Sequence, residues 1–168
     1  MRKREKCEEI LYYICQKQEP GKKMVQKLMY LMERKGFDLG LNYSIHFYGP
    51  YSASLDDTLH AWEAQGIINI TIDHLTHKIT LANRKNCPQA LSEEERNVVF
   101  EVLRCFEKKS AADLEAYTTL DYVAHTIWKD KGTEDQVIQD VLKIKSRKFS
   151  QEELQEKYQE MRQLNYIS

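Results

Sequence analysis

Long apolar runs are missing from this chain of 168 residues. No stretch approaches the roughly 20 apolar residues that a membrane-spanning helix needs, so no membrane partner is expected. The basic start, Arg2-Lys3-Arg4-Glu5-Lys6, leads into no apolar core of the secretory kind, and a cytoplasmic protein is expected. An excess of one charge is missing too. Lys and Arg number 25 against 26 Asp and Glu, a net charge of −1. That balance excludes a general polyanion or membrane-surface binder and leaves room only for local patches. The four cysteines, Cys7, Cys15, Cys87 and Cys105, form no C-x-x-C pair and no zinc-finger spacing. Cys7 and Cys15 fall in an apolar helical stripe, and all four read as reduced and structural. Also absent are the G-x-S-x-G elbow, the phosphate loop and the G-x-G-x-x-G turn. The carboxylate clusters Asp56-Asp57 and Glu93-Glu94-Glu95 sit at helix starts, where the helix dipole favours negative charge, so neither needs a catalytic reading. No enzyme, cofactor or metal is expected. His74-x-x-His77 beside Asp73 is the nearest approach to a metal motif, and it reads as two solvated turn histidines.

What the chain does have is amphipathic periodicity. Cys7, Ile10, Leu11, Ile14 and Cys15 recur at helical spacing over about Glu5 to Gln16. Pro20-Gly21 breaks the chain. A second helix is predicted from Lys22 to Lys35, apolar at Val25, Leu28, Met29 and Met32, basic on its other face and stopped by Gly36. Residues Leu41 to Phe47 alternate and read as extended. Gly49-Pro50 turns the chain into a third helix from Ser52 to Gln65, with Leu55, Leu59 and Trp62 on one side. Ile67–Ile72 and Lys78–Leu81 then read as two strands around a short turn. Helix followed by hairpin is the ending of a winged helix.

The connector from Asn83 to Leu91 separates an expected unit at residues 1–85 from a helical one at 91–168. Ser92 and Glu95 form a predicted capping box, and Ser150 with Glu153 forms another. Between them a helix from Ser110 to about Trp128 and a shorter one after Gly132-Thr133 are predicted. The fold class expected is mainly α with some β: an N-terminal winged-helix-like unit carrying a small hairpin, then a C-terminal helical, helix-turn-helix-like bundle.

Two ligand classes fit such a fold. A DNA-reading winged helix places its third helix in the major groove and offers Arg, Lys, Asn or Gln. Here that helix has no Lys or Arg, and it carries Asp56, Asp57 and Glu63. The cations that remain for a nucleic-acid backbone are Lys22, Lys23, Lys27, Arg34 and Lys78. Protein binding suits the aromatic residues better. Tyr43, Tyr48 and Tyr51 surround the Gly49-Pro50 turn, and tyrosine covers interface area with few torsions to freeze. Candidate partner contacts are therefore Tyr43, Tyr48, Gly49, Pro50, Tyr51, Asp57 and Thr58.

The order Lys27-Leu28-Met29-Tyr30-Leu31, Tyr48-Gly49-Pro50-Tyr51-Ser52, Leu55…Leu59 and Gln65-Gly66-Ile67-Ile68 resembles the Panacea/SocA-like antitoxin domain and related uncharacterised bacterial proteins. Leu91-Ser92-Glu93-Glu94-Glu95-Arg96 and Lys109-Ser110-Ala111-Ala112-Asp113-Leu114 are similar to the second half of that pattern. The resemblance runs from about Cys7 to Trp128. It implies a non-enzymatic adaptor that binds a partner protein directly, such as a toxin encoded in the same operon, and neutralises it or presents it to a protease. DNA is the alternative partner.

Overall fold

Seven α-helices and two two-stranded sheets make up most of the computed structural model, which describes residues 2–83 and 86–168. In chain order they are α1 (Arg2–Lys17), α2 (Lys22–Arg34), β1 (Ser44–His46), β2 (Gly49–Tyr51), α3 (Ala53–Ala64), β3 (Ile68–Asp73), β4 (Thr76–Leu81), α4 (Glu93–Phe106), α5 (Ala111–Tyr122), α6 (Glu134–Lys145) and α7 (Gln151–Gln163). The chain divides into two units, one of Met1–Ser44 with Tyr51–Lys109 and one of Ile45–Pro50 with Ser110–Ser168. This division does not follow the cut expected between residues 85 and 91. α4 carries its apolar stripe, Val99, Val102, Leu103 and Phe106, into the first unit and packs on α2.

In the first unit α2 is the central element. Residues 25–32 are all buried, because α1, α4 and β4 pack around the helix. The basic face expected on it is thereby interrupted. Lys27 is 2% exposed, and its ammonium bends back to the Lys23 carbonyl at 3.4 Å. Gln26 fixes the start of α3: its amide donates to Ser52 O and accepts from Ser52 N, both at 2.8 Å. Ser52 in turn caps α3, its Oγ accepting from Leu55 N at 3.1 Å. Gly66, at φ +76°, ends the helix, and Ile67 N closes back on Trp62 O at 2.9 Å. β3 and β4 then pair antiparallel from Ile68↔Leu81 to Asp73↔Thr76 with no bulge.

One buried carboxylate ties α1 to the connector and to α4. Glu9 is wholly buried. Its Oε1 accepts from Ala90 N at 2.8 Å and Leu91 N at 2.9 Å. Its Oε2 accepts from the Tyr13 hydroxyl at 2.6 Å and Arg96 Nε at 2.9 Å. Burial pushes this carboxyl's pKa up, but the bonds from Tyr13, Leu91, Arg96 and Ala90 together hold it below its ordinary value. The capping box predicted at the start of α4 is complete. Ser92 Oγ accepts from Glu95 N at 3.1 Å, and Glu95 Oε1 from Ser92 N at 2.9 Å. Ser92→Ala is expected to lower stability by about 1 kcal/mol, measurable as a shift of the urea midpoint at constant slope.

In the second unit α5, α6 and α7 pack on one another around Leu114, Tyr117, Leu120, Val141, Leu154 and Met161. The helix expected to run to Trp128 changes its winding. Residues Val123–Ile127 form a π-helical segment, with Trp128 N bonded to Val123 O at 2.9 Å. Among the described residues no helix is long and apolar enough to cross a membrane.

Candidate functional site

The segment 45–50 belongs to the second unit and forms the hairpin of β1 and β2. Phe47 and Tyr48 occupy its two-residue turn, a place where Asn-Gly or Asp-Gly is usual. Phe47 is 82% exposed and Tyr48 42%. Their rings meet edge to face, with centroids 5.1 Å apart. Phe47 at the tip gains little from folding, since most of its area stays in water.

The strand after the tip is pressed onto α5. Gly49 has φ +100°, and a Cβ there would lie 3.2 Å from Thr119 Oγ1, 3.5 Å from Thr118 Oγ1 and 3.6 Å from Glu115 Cγ. Glycine is required twice over, by the backbone and by the approach. Beneath the hairpin lies a buried ionic cluster. The Glu115 and Lys145 side chains are 3% and 4% exposed and stand 3.2 Å apart, close enough to pair as ions but off the line of a hydrogen bond. Lys148 Nζ donates to Glu115 Oε1 at 2.8 Å and lies 5.2 Å from the centroid of the Tyr48 ring. Lys145 Nζ donates to Phe47 O at 2.7 Å. It also reaches His46 O at 3.5 Å. Burial pushes the Lys145 pKa down, with Glu115 pulling it back. The cluster therefore clamps the turn from below, gripping its carbonyls and leaving its rings outside.

The residues singled out from sequence are distributed unevenly. Tyr48 is on the exposed tip, whereas Gly49 and Pro50 are buried and shape the hairpin. Tyr43 packs edge to face on Tyr30 at 5.0 Å, its hydroxyl buried without a hydrogen-bond partner among the described residues and its pKa pushed well up by that burial. Tyr51 is half-buried, and burial and then the Asp56 carboxylate push its pKa up. Asp57 is exposed on α3, while Thr58 bonds back to Ser54 O at 2.8 Å. Asp56, counted in the acidic face, is neutralised by Lys22 at 2.9 Å. Lys22 is thus engaged, as is Lys78 with Asp73 at 2.9 Å, while Lys23 and Arg34 have partners as well. Phe47 reads from sequence as the end of the extended segment, with the turn at Gly49-Pro50; the turn in fact lies at Phe47-Tyr48, and Gly49 and Pro50 are already in β2. His74 and His77 are both exposed on the β3–β4 hairpin, and no three His, Cys, Asp or Glu side chains converge among the described residues.

The family model described as antitoxin SocA-like, Panacea domain matches residues 25–129, more than half of the chain. The chain belongs to this Panacea family. No curated protein matches it. The Panacea match begins inside α2, later than the resemblance read from sequence, and ends just past the π-helical segment. It takes in Phe47, Tyr48, Gly49 and Glu115 but stops short of Lys145 and Lys148. The aromatic tip and its buried carboxylate thus lie within the Panacea domain, and the cations that complete the clamp come from the segment after it.

Proposed function

We propose that this chain is a non-enzymatic, antitoxin-like module that binds a partner protein through the Phe47–Tyr48 tip. The carrying observation is the 82% exposure of Phe47 on a turn whose carbonyls are gripped from below. A large ring held in place loses little entropy on docking, which is the property of an interface anchor. In this reading the first unit is a winged-helix-like scaffold, with α3 followed by the β3–β4 wing. On that unit's own surface α3 exposes the carboxylates Asp57 and Glu63, which suit a basic partner and give association that weakens with salt. The family supports a toxin encoded beside the chain as that partner. The four free cysteines fit a reducing cytoplasm. The DNA alternative is not favoured, because the lysines it would use are paired or buried.

The test is co-expression with the neighbouring gene product, followed by binding measurements on the purified pair. Phe47→Ala is expected to weaken the complex by about 2 kcal/mol, or roughly thirtyfold in Kd, with the melting temperature of the free chain unchanged. Equal affinity of F47A and wild type would remove the tip from the interface.

A further inference from the structure

The first unit has an unused sheet edge. Ile79 N donates to Pro20 O at 2.8 Å, so its N–H points away from β3. The pair Ile70↔Ile79 is therefore not hydrogen-bonded within the hairpin, and the ladder bonds fall on Asn69, Thr71 and Asp73. Ala82 N, which donates to Ile67 O at 3.0 Å, keeps the same alternation at the base. Hence Ile68, Ile70 and Ile72 turn their backbone N–H and C=O groups outward from β3, where the described residues place no further strand. The edge is six residues long and has no bulge, proline or lysine, the devices that usually blunt such an edge. Its outer half is also open, with Ile72 and the turn residue Leu75 exposed beside Thr71 and Asp73. Ile72 is 71% exposed, and Leu75 in the turn is 93% exposed.

We infer that β3 is the pairing edge of a homodimer, joining its counterpart in a second copy of this chain. Antiparallel pairing matches outward-bonding residues with one another, and on β3 these are the isoleucines. With the twofold axis at Thr71, Ile70 faces the second copy's Ile72 and the reverse, so the exposed Ile72 is covered by the half-buried Ile70 of the second copy on one face of a four-stranded sheet. On the other face Asn69 meets Asp73, a compatible pair. The two Asp73 carboxylates are then set about 14 Å apart along the strands. Parallel pairing would place them side by side. The strand is thus self-complementary in charge and in side-chain pattern, as a twofold contact demands.

Sedimentation velocity over micromolar to sub-millimolar concentrations tests this. Wild type is expected to reach twice the chain mass, and Ile72→Lys to remain at the chain mass with an unchanged circular dichroism spectrum. A monomeric wild type, or an I72K dimer equal to wild type, would overturn the inference. A second variant guards against an uninformative substitution. Thr71→Cys, with Cys87 and Cys105 replaced by serine, places two thiols across the axis, where non-bonded antiparallel pairs bring Cβ atoms close enough to bridge. Oxidation is expected to yield a covalent dimer on a non-reducing gel. Failure to cross-link under conditions in which the thiol is titratable counts against the strand pairing.

Discussion

Replacing Glu115 with alanine is expected to destabilise the second unit by about 3–5 kcal/mol. The carboxylate pairs with two ammonium groups, Lys145 and Lys148, and its side chain and that of Lys145 are almost fully buried. Removing it leaves Lys145 desolvated, held by the neutral Phe47 and His46 carbonyls. Burial already pushes the Lys145 pKa down, and loss of Glu115 removes the group that opposes this. Urea titration followed by circular dichroism measures the cost. A loss below about 1 kcal/mol would show that the pair contributes no more than a surface contact. The double variant Glu115→Ala, Lys145→Met is expected to recover part of the loss, since a matched apolar pair carries no stranded charge. It is not expected to recover partner affinity, because the grip on the Phe47 carbonyl is gone.

The second large effect is pH-dependent. Glu9→Gln is expected to cost about 3 kcal/mol at neutral pH, as the buried acceptor of four hydrogen bonds loses its charge. The Glu9 carboxyl sits below its ordinary value of 4.5 in the folded chain. Its contribution is therefore complete above the unfolded value and is lost as pH falls through the lower, folded value. The gap between the stability curves of wild type and E9Q should be constant above about 4.5, the unfolded value, and should close as pH falls from there through the lower, folded value. A constant gap between them from neutral pH down to acid would assign the loss to packing and not to the anion.

Elements governed by neighbours in sequence were legible before the structure. Ser52, Ser92 and Ser150 each cap the helix expected after them, and Gly66 ends α3 where the pattern placed its end. The β3–β4 hairpin follows from β-branched alternation around a polar turn. What was not legible depends on which faces meet. Lys27 read as solvated because its burial comes from α2 being surrounded on all sides, which no period within the helix reveals. Glu115 lies on α5 and Lys145 at the far end of α6, and neither carries a local sign that it will be buried. Glu9 reads as one more acidic residue of a charged helix, while three of its partners, Ala90, Leu91 and Arg96, lie more than eighty residues later. The aromatic tip was half visible. Tyr48 was chosen and Phe47 passed over, since the side on which a turn residue points depends on the clamp beneath it.

That clamp also sets an order of events during synthesis. Phe47 precedes Lys145, the residue that grips its carbonyl, by 98 positions. At about 5–20 residues per second a ribosome needs roughly 5–20 s to cross that interval. Throughout it the aromatic turn has no completed α6 to seat it. A nascent chain can thus complete much of its first unit while its recognition tip is still unset. Competence to bind is expected to arrive late and abruptly, with the release of the last helices, and not in step with chain length.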